Sequence, residues 1–141
     1  MSSGEPEWQR IVGDLAPDEA VYVSSQLTAM FGELATKFPL ESMLRHWQRL
    51  VTSLEKPYAM SIYDYDRAVY DRECIEEVTA GAPPGLRQRL EAAIRPLDAQ
   101  YKRLTVEVSS PLLPGYHHWW WFRIPAANGE RMRSDLRERG F

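Results

Sequence analysis

The sequence is poor in the residues from which staples, metal cages and membrane anchors are built. It holds one cysteine, Cys74, and three histidines, and no more than four apolar residues ever follow one another. A single thiol excludes an intramolecular disulfide framework and fits a reducing compartment. Runs that short exclude a membrane-spanning helix, which needs about 20 consecutive apolar residues. The opening segment MSSGEPEWQR has neither the basic stretch nor the apolar centre of a secretion signal, so a cytoplasmic location is expected. Catalytic signatures are missing as well. There is no G-x-S-x-G elbow, no glycine-rich phosphate loop ending in Lys-Ser/Thr, no H-E-x-x-H and no C-x-x-C. The expectation is a non-enzymatic chain without cofactor or metal.

What is present indicates one folded domain over residues 1–141. The chain is 44% hydrophobic and 26% charged, and its sixteen aromatic residues argue against disorder. A chain of this length buries about two-thirds of its unfolded surface, enough for a single core. The formal charge of −3 conceals an uneven distribution: residues 1–84 carry −7 and residues 85–141 carry +4. The basic tail interleaves Arg131, Arg133, Arg137 and Arg139 with Glu130, Asp135 and Glu138. It lacks the broad basic footprint of a phosphate-binding surface, and no nucleic-acid partner is expected.

Hydrophobic spacing predicts the elements. Trp8, Ile11, Val12 and Leu15 form a docking turn or short helix. A helix follows Ala16, begun by Pro17 and by the dipole-stabilising Asp18 and Glu19, with an apolar stripe from Ala20 to Leu34 and a stop at Phe38-Pro39. Leu40, Met43, Leu44, Trp47, Leu50, Val51 and Leu54 mark a core helix that ends at Pro57. Residues 61–80 read as an acidic helix with Ser61 or Asp64 as N-cap and a buried stripe of Ile62, Tyr65, Val69, Ile75 and Val78. A further helix runs from about Leu86 to Leu104, with a kink or split expected near Arg95 because Pro96 lacks a backbone donor. Beyond it the spacing changes. The fold class predicted is mainly α: four to five helices within residues 5–104 around a single core, a small β-hairpin over about 104–125, and a short closing helix at 130–139.

Two clusters are candidates for function. In an extended strand over Tyr116–Ile124, Tyr116, His118, Trp120, Phe122 and Ile124 would face the core. His117, Trp119, Trp121 and Arg123 would form an opposite face suited to a partner or ligand. Adjacent strand residues point apart, so His117 and His118 cannot hold one metal ion between them. The second cluster is the acidic helix, where Asp64, Asp66, Asp71, Glu73 and Glu77, interspersed with Tyr63, Tyr65 and Tyr70, make a candidate contact surface for a basic protein. Asp64 and Asp66 lie two apart and do not share a helix face, so D-x-D is not read as a metal motif. The acidic neighbours of Cys74 raise its thiol pKa and disfavour a nucleophile.

The stretch PPGLRQRLEAAIRPLDAQYKRLTVEV, followed by WWWFRIP and a closing helix, resembles small proteins common in high-GC bacteria. Their recurring elements are present here as Leu97-Asp98-Ala99-Gln100-Tyr101, Trp119-Trp120-Trp121 and Arg123-Ile124-Pro125, and the resemblance covers residues 60–139. Such proteins are similar to the immunity partners of bacterial polymorphic toxins. The resemblance implies a cytoplasmic inhibitor that occludes a cognate toxin, and it assigns no residue a role. The leading expectation is therefore a protein-binding module whose partner is another protein, such as a basic toxin domain. A homodimer through an exposed Trp119/Trp121 face is a further option. The alternative is a small-ligand binder or enzyme with a pocket between the Trp-rich strand and the helices, its polar groups supplied by Tyr116, His117, His118 and Arg123.

Overall fold

A computed structural model describes residues 5–141; Met1–Gly4, part of the segment read above for a secretion signal, lie outside it. Within it are six α-helices rather than four or five: the residues ahead of Pro17 take the short-helix option, and the closing helix makes the sixth. Helix α1 (Glu7–Gly13) buries Trp8 and Ile11. Helix α2 (Pro17–Phe31) opens at a proline whose missing N–H needs no partner there, and Glu19 Oε1 accepts from the Ala16 N–H at 3.0 Å. It stops earlier than expected. Gly32 takes a φ of +59°, and Gly32–Lys37 continue as a 3₁₀ helix, which leaves Leu34 exposed instead of on the core stripe.

Helix α3 (Leu40–Ser53) buries Leu40, Met43, Leu44, Trp47, Leu50 and Val51, as the spacing predicts. Helix α4 (Ile62–Ala80) begins with a reciprocal cap: the Asp64 N–H donates to Ser61 Oγ, and the Asp64 carboxylate accepts from the Ser61 N–H and hydroxyl. Its buried stripe contains all five predicted residues, joined by Asp66, Arg72, Cys74 and Thr79. Helix α5 (Pro84–Arg103) is continuous through Pro96, so of the expected kink or split the split does not occur. The proline removes one helical bond at an exposed position, while Ile94 and Tyr101 keep both halves on the core.

Strand β1 (Thr105–Glu107) pairs antiparallel with β2 (Arg123–Pro125) in the register Thr105↔Pro125, Val106↔Ile124, Glu107↔Arg123. Helix α6 (Glu130–Glu138) closes the chain and buries Met132 and Leu136. It is seated through Gly129, whose N–H donates to Tyr58 O at 2.8 Å. A Cβ on Gly129 would stand 3.1 Å from that same oxygen, so any side chain there would push the two backbones apart by a few tenths of an ångström.

The long strand expected over Tyr116–Ile124 does not form. Only Arg123–Pro125 is strand, and Trp119–Phe122 make a single 3₁₀ turn. The physical reason is burial. In an extended chain two adjacent tryptophans must face opposite ways, whereas three residues per turn lets Trp120 and Trp121 both enter the core, at 2% and 0% exposure. The turn is anchored from beneath by Tyr65 and Tyr101, whose hydroxyls are 2.7 Å apart. One hydroxyl donates to the other, and the remaining proton goes to a backbone carbonyl of this segment, Trp120 O at 3.0 Å from Tyr101 or Arg123 O at 3.1 Å from Tyr65. Among the described residues no helix is long and apolar enough to cross a membrane.

Candidate functional site

Helix α4 carries all five residues of the expected acidic surface, and the fold engages four of them internally. Asp64 caps its own helix. Asp66 is buried and takes both guanidinium arms of Arg139, at 3.1 and 2.6 Å; burial raises its pKa above the usual carboxylate value, and Arg139 opposes the shift. Asp71 Oδ2 accepts from His46 Nδ1 at 3.0 Å, and burial again raises its pKa against the pull of His46 and Arg67. Glu73 Oε1 accepts from both buried indoles, Trp120 Nε1 at 3.0 Å and Trp121 Nε1 at 2.7 Å, while Oε2 accepts from His118 Nδ1 at 2.9 Å. Only Glu77 is exposed without a partner among the described residues. The acidic helix is thus not a free acidic surface. Two pairs join acids of residues 1–84 to bases of residues 85–141, Asp66–Arg139 and Glu19–Arg89, while Arg72–Asp98 pairs the two portions with the opposite signs.

The aromatic cluster is reassigned as well. Trp121 is interior and stacks on Tyr116 at 4.2 Å, so it presents nothing to a partner. The Arg123 guanidinium donates to Thr105 Oγ1 at 2.8 Å and to the carbonyls of Thr105 and Lys102, fastening β2 to the end of α5. Trp119 is half-buried with the Lys102 ammonium 4.3 Å from its ring, and His117 is exposed. Both the extended face and the premise of a Trp119/Trp121 dimer fall with the strand. A cleft of about 420 Å³ does lie between the tryptophan turn and the helices, but Trp119 is the sole member of the expected set on its wall. Tyr116, His117, His118 and Arg123 lie elsewhere. The charged groups of that cleft largely satisfy one another: Arg72 grips Asp98 at 3.0 and 2.8 Å and reaches Glu76 at 3.3 Å. Burial, with Asp71, Glu73 and Glu77 adding to it, pushes the Cys74 thiol up to about 11, which leaves it protonated at neutral pH.

Two features remain outward-facing. The first is the solvent side of α4, where Tyr63 (69% exposed), Arg67 and Tyr70 (41%) follow at one-turn intervals, with Met60 (51%) just ahead of the helix. The second is a groove between α3 and α4 of about 550 Å³, walled by His46, Arg49, Leu50, Ser53, Tyr58, Met60, Asp64, Arg67, Ala68 and Asp71. Of these groove residues only Asp64 and Asp71 were candidates from the sequence. No local pattern brings Arg49 and Arg67 together, because their proximity follows from how two helices dock.

Among the described residues no three His, Cys, Asp or Glu side chains converge as a metal site requires. The chain matches no protein-family model, no curated protein and no solved structure.

Proposed function

We propose that this chain is a protein-binding module that acts by contact rather than by chemistry, and that its contact surface is the outward face of α4. The observation that carries this reading is the row Tyr63, Arg67, Tyr70, exposed on a helix whose opposite side is locked into the core. Tyrosine and arginine are enriched among residues that dominate binding energy, and tyrosine supplies a large amphipathic surface with only two side-chain torsions to order. A helix already fixed by its cap, by Asp66–Arg139 and by Glu73 needs little ordering on association. The resemblance to immunity partners adds the biological form: a toxin domain whose working surface is covered by this helix. The charge expected of the partner changes. With four of the acids engaged, the free charges along this face are Arg67, the adjacent Arg49 and, two turns beyond Tyr70, Glu77, so a strongly basic partner is no longer favoured.

Co-purification with the product of the adjacent reading frame tests the reading. Tyr63→Ala and Tyr70→Ala should each weaken that complex by roughly 30-fold, the effect of losing about 2 kcal/mol at an interface anchor. Both variants should melt within a few degrees of wild type, since Arg139 over the Tyr63 ring and Tyr116 at the Tyr70 edge are peripheral contacts, and Arg87→Gln, exposed on α5, should bind within about twofold. A double Tyr63/Tyr70 alanine variant that binds as tightly as wild type sinks the proposal.

A further inference from the structure

Helices α3 and α4 are joined by residues 54–61 and run antiparallel, so their residues meet in rungs one helical turn apart. His46 meets Asp71 at 3.0 Å, and the same groove is lined by Arg49, Leu50 and Ser53 from α3 and by Asp64, Arg67 and Ala68 from α4. The groove along these rungs has the volume of a small-molecule site, for which about 300–1,000 Å³ is usual. Its two ends are occupied by paired groups, His46–Asp71 at one and the Ser61-bound Asp64 at the other. Its middle is different. Arg49 and Arg67 line it from opposite helices, and neither guanidinium has a hydrogen-bond or ion-pair partner among the described residues. The Tyr58 hydroxyl is also without a partner there, and burial together with Asp64 and Asp66 raises its pKa, so it stays a neutral donor. Leu50, Met60, Ala68 and the Tyr58 ring supply an apolar wall beside these donors.

We infer that this groove binds the oxyanion of a small organic molecule, a carboxylate or a phosphate monoester, with Arg49 and Arg67 as the charged donors and the apolar wall holding the rest of the ligand. Planar guanidinium forks match both kinds of oxyanion. Asp64 and Asp71 stand three residues before and four after Arg67, which brings the groove near charge balance and restricts it to one anionic group rather than a polyanion. The inference goes beyond the protein-binding reading and shares Arg49, Arg67 and Met60 with it.

The test is a titration of the full chain with benzoate, phenyl phosphate and inorganic phosphate, followed by NMR at the backbone amides and arginine Nε–H groups. Saturable shifts are expected at Arg49, Arg67 and Leu50 with the phenyl-bearing probes, and weaker ones with inorganic phosphate. The ranking of benzoate and phenyl phosphate identifies which oxyanion the site prefers. Arg49→Gln should weaken binding about tenfold or more, the effect of losing a charge-assisted hydrogen bond. Arg87→Gln, exposed on α5 away from the groove, should leave it unchanged. The inference is overturned by an absence of saturation up to about 20 mM, too weak for a built site. Equal binding by Arg49→Gln, or shifts spread over arginines generally, overturns it too. If the anions fail while Arg49→Gln abolishes the protein complex, the groove receives a partner's acidic side chain; the small-ligand inference is then lost and the protein-binding reading stands.

Discussion

Replacing Glu73 with alanine removes the acceptor shared by two buried indoles. Trp120 and Trp121 are 2% and 0% exposed, and both Nε1–H groups end on the same carboxylate oxygen. A buried donor left without a partner costs about 1–3 kcal/mol, so two such donors predict a loss of roughly 2–6 kcal/mol. The third bond, from His118, is half exposed and adds little. Against a total stability of about 5–15 kcal/mol for a domain, this is a large fraction. At about 2–4 °C per kcal/mol for a chain of this size, the melting temperature falls by roughly 5–20 °C. Glu73→Gln discriminates the cause. It keeps an oxygen for the indoles and loses only the charge, for an expected loss of about 1–2 kcal/mol. Urea unfolding read by circular dichroism gives the free energies, and an unchanged m-value shows that the two variants unfold from equally compact states. An alanine variant within about 0.5 kcal/mol of wild type, or identical losses for alanine and glutamine, would refute the shared-acceptor argument.

Other substitutions probe the remaining polar network and the one anomalous proline. Arg72→Ala strips the Asp98 carboxylate of its bidentate partner and leaves it the Trp47 Nε1–H at 3.1 Å; because Asp98 can recruit some water, a loss of about 2–3 kcal/mol in urea unfolding is expected. The pKa of Asp66 is raised above 3.8 in the folded protein, so the native state takes up its proton before the unfolded chain does. Its contribution is present below that unfolded value and is lost as pH rises through the folded one. The stability gap between wild type and Asp66→Asn should accordingly widen as pH falls from about 7 toward 4, and a gap that narrows would mean that Arg139, not burial, governs the carboxyl. Pro96→Ala restores one helical hydrogen bond at an exposed position and should stabilise the protein by about 1–3 kcal/mol, seen as a raised urea midpoint.

Much of the helical framework was legible because its signals are local. The Ser61-x-x-Asp64 cap, the unbroken stripe of α3 and the Ala16–Pro17 start of α2 each depend on residues within one or two turns. The tryptophan run was misread for the opposite reason. Its composition favours an extended strand, yet the turn it adopts depends on Glu73, 47 and 48 residues away, being able to accept from two indoles at once. The acidic surface failed in the same way. Asp66 looks free until Arg139, 73 residues on, folds back over it.

The sequence alone determined where the helices lie and which face each one buries, because side-chain periodicity is set by backbone geometry over a few residues. Tertiary structure alone decided which charges and aromatics stay available. Ionic and hydrogen-bond partners are chosen by proximity between distant segments, and a partner inside the fold removes a group from the surface. That is why most of the conspicuous features, four acids of α4 and two of the three tryptophans, became internal structure. Among the groups left facing outward, Tyr63 and Tyr70 stand out in the chain only as neighbours of the acids, and Arg49 and Arg67 do not stand out at all.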